Sequence, residues 1–311
     1  MKPKVYIDGK EGTTGLQIYD RLAQRSDIEL LLIDEDKRKD PMERKALMDA
    51  ADIVFLCLPD AAAIEAVSLI ENPNTRVIDA STAHRTNPDW DYGFPELSAA
   101  HKAAIQTSKR VANPGCHATG FISVVYPLVA MGLLPEDALL SCFSLTGYSG
   151  GGKKMIADYE SPDKAESLFA PAPYGMGQNH KHLPEMQTIC GLAHKPVFVP
   201  IVDDYYKGMA TTVPFHMESL TGVSTVAEVR EKLAAYYAGG AMVTVAEGTD
   251  TAKLYANGAA GKDTLTLIVA GNDEQFTVTA LFDNLGKGAS GAAVQNMNLM
   301  LGLEETTGLA L

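Results

Sequence analysis

Short apolar runs recur through the first third of the chain with amphipathic or polar stretches between them, and this alternation limits the fold more than any other feature. Val5-Tyr6-Ile7 comes first, then Ile28 to Ile33, then Ile53-Val54-Phe55-Leu56-Cys57-Leu58, then Arg76-Val77-Ile78-Asp79. A helix is expected through Leu22-Ala23, a polar charged loop after the second run, and a further helix over Ala62 to Ile70. Strands separated by helices of this length make βαβ units and a parallel sheet. The run from Ile53 to Leu58 is apolar throughout, as a strand covered on both faces should be. The expected class is therefore α/β, with a Rossmann-like, doubly wound parallel sheet.

Beyond residue 116 the alternation loosens. Strands are expected over 139–145, 196–202, 210–215 and 264–270, with a helix over 226–237, a mixture that fits an α+β domain. A chain of 311 residues holds about two domains. A last helix, Ala292 to Leu301, is expected to pack back on the first domain. The expected division is 1–116 with 284–311 for a cofactor-binding domain, and 117–283 for a catalytic and oligomerisation domain.

Charge and cysteine usage narrow the partners. Twenty-six Lys and Arg against 39 Asp and Glu leave a net charge of −13, which disfavours a nucleic-acid partner. No apolar run reaches the roughly 18 residues of a membrane span, and Met1-Lys2-Pro3-Lys4 leads straight into a strand, so neither a span nor a signal peptide is expected. Cysteines stand at 57, 116, 142 and 190 with no C-x-x-C pair, so reduced thiols in a cytoplasmic protein are expected, and no metal site.

Four motifs carry chemistry. Gly9-x-x-Gly12-Thr13-x-Gly15 follows the first strand and opens a helix, the context of a dinucleotide phosphate loop; the plainer reading is a tight βα turn. Asp34 lies where an acid holds an NAD ribose, whereas Lys37-Arg38-Lys39 offer cations for a 2′-phosphate, so local charge leaves the cofactor open. Asn113-Pro114-Gly115-Cys116-His117-Ala118-Thr119-Gly120 delivers one cysteine to the start of an apolar run. At a helix start its thiolate would be favoured; otherwise it is a small buried hydrophobe. His180-Lys181-His182-Leu183-Pro184-Glu185 can supply an acid or base, a structural histidine pair, or a weak zinc pattern. Gly147-Tyr148-Ser149-Gly150-Gly151-Gly152-Lys153-Lys154 reads as a flexible loop able to wrap an anion or lie free on the surface. Arg85 and Arg110 are further candidates for a substrate carboxylate or phosphate. His84, His101, His194 and His216 have no comparable neighbours.

In order along the chain, these pieces resemble the N-acetyl-γ-glutamyl-phosphate reductase family, in the shorter of its two types, relatives of aspartate-semialdehyde dehydrogenase. The resemblance rests on Gly9–Gly15, Phe55-Leu56-Cys57-Leu58-Pro59, Val77-Ile78-Asp79-Ala80-Ser81, Tyr92-Gly93-Phe94-Pro95-Glu96-Leu97, Asn113-Pro114-Gly115-Cys116, Ser149-Gly150-Gly151-Gly152-Lys153, His180 to Glu185, and Asp283-Asn284-Leu285 through Asn298. It implies NADP(H), an acyl-phosphate substrate, a homodimer or homotetramer, and a C-terminal helix closing the Rossmann domain. By matching positions, Cys116 would be the nucleophile and His180 the acid/base. His182, Glu185, Arg85, Arg110, Lys153 and Ser149 would lie with the substrate. Gly9, Gly12, Thr13, Gly15, Lys37, Arg38, Leu58, Pro59, Ser81, Asn284 and Gly286 would lie with the cofactor. Two departures stand out: Lys153 replaces an arginine common in the family, and Asp34 sits beside the cations meant for a 2′-phosphate. Reductases of aspartyl or aminoadipyl phosphate, a non-catalytic NADP(H) sensor and a zinc hydrolase are the competing functions.

Overall fold

The computed structural model describes residues 2–248 and 253–311. They form two compact units, one running through Pro114 and including Ala289–Leu309, the other formed by Gly115–Gly288 with Ala310–Leu311.

The first unit alternates strand and helix: β1 (Lys4–Asp8), α1 (Thr13–Leu22), β2 (Glu29–Leu31), α2 (Pro41–Ala50), β3 (Ile53–Leu56), α3 (Asp60–Leu69), β4 (Arg76–Asp79), β5 (Asp91–Tyr92), α4 (Ala99–Thr107) and β6 (Arg110–Ala112). The sheet order is β2-β1-β3-β4-β6-β5, and every pairing is parallel. Strand order reverses at β1, so the crevice between β1 and β3 opens at their carboxyl ends, where such sheets hold ligands. All four residues of β3 are buried, which accounts for its unbroken apolar run. The stretch expected as a polar loop is instead a 3₁₀ turn, Glu35–Lys37, followed by α2. Asp40 starts that helix by accepting from the N–H groups of Met42 and Glu43, with Pro41 at its first position.

The second unit contains α5 (Cys116–Ala130), β7 (Ser141–Gly147), α6 (Gly152–Glu160), β8 (Ala172–Pro173), α7 (Leu183–Cys190), β9 (Val197–Asp203), β10 (Met209–His216), α8 (Val226–Tyr236), β11 (Val243–Val245), β12 (Leu265–Gly271) and β13 (Gln275–Phe282). Its mixed sheet runs β11-β12-β13-β10-β7-β9-β8. Helix α5 packs on β10, β13 and α7. It is apolar nearly all round, as a helix enclosed by its neighbours should be. Gly115, Cys116 and residues 284–288, placed with the first domain in the sequence reading, pack in this unit. The expected flexible loop at 147–154 is ordered structure: a 3₁₀ turn at Tyr148–Gly151 runs directly into α6.

A final helix, α9 (Gly291–Met300), returns to the first unit and packs on α1, α4 and β4. Ala293, Val294, Met297 and Met300 complete a core with Val5, Ile7, Ile18, Ile53 and Ile78.

Gly9 is where the first unit tolerates least change. It adopts φ +85°, and a Cβ there would lie 2.4 Å from the Cys57 carbonyl oxygen. Gly9→Ala is expected to cost about 1–3 kcal/mol of stability. A urea midpoint equal to that of the parent protein would refute this.

Candidate functional site

In the second unit the chain turns through Gly115 in an extended conformation (φ −78°, ψ 147°) and enters α5 at Cys116. No side chain caps this helix and no acid stands in its first turn. Its N–H groups and dipole therefore act on whatever lies at Cys116, and favour an anion there. Gly288 closes over the thiol carbon: a Cβ on it would come within 3.1 Å of Cys116 Cβ. All four cysteines are unbridged thiols, but Cys142 and Cys190 are buried and burial pushes both thiols up. At the end of β3, Cys57 is pushed up by burial and by the nearby carboxylates of Asp79 and Asp8. Such thiols are poor nucleophiles at neutral pH, whereas Cys116 is only partly buried.

The segment from β8 to α7 brings the histidines to Cys116. Glu185, in the first turn of α7 and 1% exposed, accepts a hydrogen bond from Gly115 N–H at 2.8 Å. This ties the start of α7 to the residue that precedes Cys116. His180 Nδ1 accepts from His182 N–H at 3.2 Å, so its neutral ring carries the proton on Nε2. Burial, and then the Lys181 charge, lower the His180 pKa below the ordinary histidine value. Gln178, at φ 54°, folds its side-chain amide onto both the N–H and the carbonyl of Phe198 in β9, fixing the loop that leads to His180.

His117, the residue after the cysteine, went unnoticed in the sequence although it is the centre of this cluster. Its ring stands 5.8 Å from that of His180 and 5.6 Å from that of His182. Its nitrogens lie 2.7 Å from Ser144 Oγ and 2.8 Å from the Tyr174 hydroxyl. Burial, helped by the His180 charge, pushes its pKa down to about 3. Tyr174 was also missed. Only the adjacency of His117 to Cys116 pointed to either residue. Among the described residues no group of three or more His, Cys, Asp or Glu could hold a metal ion.

The remaining expected site residues divide. Ser149 is buried and accepts from the Asn284 amide, which also accepts from Gly208 N–H, so Asn284 serves the second unit internally. Gly286, expected with the cofactor, lies in that same unit, where a Cβ would strike the Lys262 carbonyl at 2.3 Å. Lys153 is exposed near the start of α6. In the first unit, Arg85 is buried and donates to the carbonyls of Asn113 and Ala80. Arg110 does not face a substrate site: it stands at the amino end of β6 and donates to the carbonyls of Thr75 and Lys109. His84, whose sequence neighbours gave no motif comparable to that at 180–185, lies 2.6 Å from Asp79 and stacks on Trp90. Asp79 also holds the N–H and hydroxyl of Ser81.

The glycine loop bounds a cavity of about 510 Å³ lined by Gly9, Leu58, Arg38, Lys39 and Arg44. Gly12 N–H donates to the Gly9 carbonyl, Thr13 begins α1, and a Cβ at Gly15 would lie 2.4 Å from the Gly9 oxygen. Pro59 stands before α3 beside Leu58. A close backbone turn, a helix start and three cations fit the phosphates of a dinucleotide. Lys37 is turned away, paired with Glu43 at 3.0 Å; Lys39 lines the cavity as the sequence suggested, and Arg44 is a cation that sequence reasoning passed over. Arg44 is held at 2.8 Å by buried Asp8. Asp34 is well exposed and is not part of the cavity lining.

Residues 4–105 match the model described as semialdehyde dehydrogenase, NAD binding domain, and residues 116–284 the one described as semialdehyde dehydrogenase, dimerisation domain. A Brucella anthropi protein named N-acetyl-gamma-glutamyl-phosphate reductase is 49% identical over 309 residues, covering 97% of this chain and 99% of that one. One of the same name from Burkholderia cenocepacia is 47% identical over 305 residues, covering 96% and 97%. The chain belongs to the N-acetyl-gamma-glutamyl-phosphate reductase family. Aspartate semialdehyde dehydrogenase II of Vibrio cholerae, solved in complex with ASA, shares the fold of this family member at a TM-score of 0.75 and 16% identity, covering 97% of this chain and 99% of that one. The aspartate semialdehyde dehydrogenase of Francisella tularensis does so at 0.71 and 14%, covering 96% and 99%.

His117 makes stability depend on pH. Its folded pKa, about 3, lies below its ordinary value of 6.5, so the unfolded chain binds the extra proton between those limits. Stability is then fully present above about 6.5 and falls as pH drops toward 3, by up to about 1.4 kcal/mol per unit for one proton. Urea unfolding between pH 4.5 and 7.5 should show this slope reduced in His117→Gln; an undiminished slope would contradict the assignment.

Proposed function

We propose that the chain reduces N-acetyl-γ-glutamyl phosphate to N-acetylglutamate semialdehyde with NADPH, releasing phosphate, as a step of arginine biosynthesis in the cytoplasm. The observation that carries this reading is Cys116 at the first position of an uncapped helix, with His180 on the segment that Glu185 ties to that helix start. Arg38 and Lys39, in the cavity beside the glycine loop, are the cations for a 2′-phosphate and favour NADP(H) over NAD(H).

The Cys116 thiolate attacks the acyl carbon; the carbon–sulfur bond forms, the bond to phosphate breaks, and a thioester remains. NADPH, when bound, supplies the hydride that reduces this carbonyl. The N–H groups at the start of α5 stabilise the oxyanion on the acyl oxygen. His180 donates a hydrogen bond from Nε2–H to that oxyanion and keeps its proton; the oxyanion then re-forms the carbonyl as the carbon–sulfur bond breaks, freeing the aldehyde and the thiolate. His182 and Glu185 hold His180 and Gly115 in place. Ser149 and Lys153, at the head of α6, are the polar groups proposed for the substrate.

Self-association is proposed through the second sheet. Helices cover one of its faces; the other presents Phe143, Val199, Thr212, Thr279 and Ile268 in one row across neighbouring strands, with Phe143 43% exposed. A homodimer or homotetramer built on this face is expected, and Phe143→Asp should lower the mass seen by light scattering. A parent protein that is already monomeric would remove this part of the reading.

The decisive assay runs in reverse: N-acetylglutamate semialdehyde, phosphate and NADP⁺ should yield reduced cofactor, with little from NAD⁺ or from aspartate semialdehyde. Cys116→Ser should abolish turnover while NADPH binding persists. Full activity in that variant would eliminate the thioester.

A further inference from the structure

Gln178 is the one described residue other than glycine with a positive φ, at 54°. A residue with a Cβ enters that left-handed region at a cost in energy, so something must hold it there. Core burial does not: Met176, Gly177, Gln178 and Asn179 are all exposed. What holds it is the edge of β9. Along this edge β8 pairs through Ala172 and Pro173, and Tyr174 N–H then donates to the Pro200 carbonyl at 3.0 Å. The chain leaves the sheet through Gly175, Met176 and Gly177, and the Gln178 amide takes the next place on the edge. Its Oε1 accepts from Phe198 N–H at 2.9 Å, and its Nε2 donates to the Phe198 carbonyl at 2.8 Å. A side chain thus takes the part of a strand residue, and the loop is pinned at both feet. We propose that Gln178 is a positioning residue for the reduction, its anchor on Phe198 fixing the direction in which the His180 ring points Nε2–H. The proposal rests on His180 being the donor to the acyl oxygen.

His180 follows two residues after the anchor, and rings enclose it. Phe198 lies edge-on to it, centroids 5.2 Å apart at 73°, so the residue that Gln178 grips by its backbone also packs on the imidazole with its side chain. Tyr174, at the other foot of the loop, stands 6.0 Å away at 60°. Gly175, between the feet, brings its backbone against the ring: a Cβ there would lie 3.6 Å from His180 Cδ2. The polar restraint on the ring is slight by comparison. Nδ1 accepts from His182 N–H at 3.2 Å, the long end of the usual range, and the outer torsion of a histidine is a broad one. The direction of Nε2–H is therefore set by the walls around the ring, and the Gln178 amide keeps two of them, Phe198 and the Tyr174–Gly175 turn, in register. A donor stabilises an oxyanion most when it is already aimed before the charge develops. Strain maintained at an exposed position, where it adds nothing to the core, is what such aiming costs.

The test uses two variants of the full chain that accept the left-handed backbone yet lose the anchor. Gln178→Gly has no amide, and Gln178→Asn tolerates this region but is one methylene shorter than the span to Phe198 requires. Each is assayed in the reverse direction, with folding checked by circular dichroism. The side-chain nitrogens of its histidines are followed by NMR, with the His180 signals assigned as those lost in His180→Gln. Both variants should show kcat lower by about tenfold, with KM for N-acetylglutamate semialdehyde and for NADP⁺ within about twofold of the parent. The His180 nitrogens, distinct in the parent as a protonated Nε2 and a bare Nδ1, should move toward a common averaged shift. A purely structural role would lower the urea midpoint and leave kcat and the His180 shifts of the folded protein as in the parent, which overturns the proposal. A fall in kcat with the shifts unmoved overturns it as well. Should one variant not fold, the other decides by the same criteria. Parent-like turnover in His180→Gln, or none in the parent, overturns the reading of His180 and this proposal with it; an inactive His180→Gln beside fully active Gln178 variants overturns this proposal alone.

Discussion

One hydrogen bond organises the second unit. Gly115 N–H donates to the Glu185 carboxylate across 70 residues of sequence, and both groups are buried. A buried carboxylate is costly unless its oxygens find donors, so the pairing is demanding in both directions. It places the start of α7 against the start of α5, and with it the loop carrying Tyr174 and His180 against the turn carrying Cys116. The helix ends, the imidazoles and the thiol gather around this contact. Losing the carboxylate would leave an unpaired N–H beside the nucleophile and release the loop at once.

Much of the fold was legible because its signals are local. Apolar runs and the glycine spacing marked β1 to β4 and α1, and the turn chemistry of Asn113-Pro114-Gly115 marked the start of α5. What stayed hidden depended on distant partners. Arg110 and Lys37 have the right chemistry for anions, yet their charges are satisfied by backbone carbonyls and by Glu43, contacts that neither residue's neighbours in sequence announce. Asp40 and Pro41 did announce a helix within the charged stretch, but charge density masked the cap. Residues 147–154 read as mobile because glycine permits mobility; here the backbone of the Asp203–Gly208 turn fixes that stretch by accepting from its N–H groups.

The candidate site shows the same division. Cys116 and His180 carried recognisable motifs. His117 did not, since a histidine following a cysteine has no signature until the strand hydroxyls beneath it are seen. The buried histidine and the neighbouring half-buried one also have different work. His180 keeps an N–H available at the surface of the site, whereas His117 is closed in on both nitrogens.

The uncapped start of α5 has a consequence beyond reactivity. A Ser, Asp or Asn at position 115 would strengthen the helix by about 1 kcal/mol, but it would do so by occupying the very N–H groups that favour an anion at Cys116. Robustness of this helix and potency of its thiol draw on the same few donors, so one can be improved only at the expense of the other. Glycine at 115 is the compromise that leaves those donors for the chemistry.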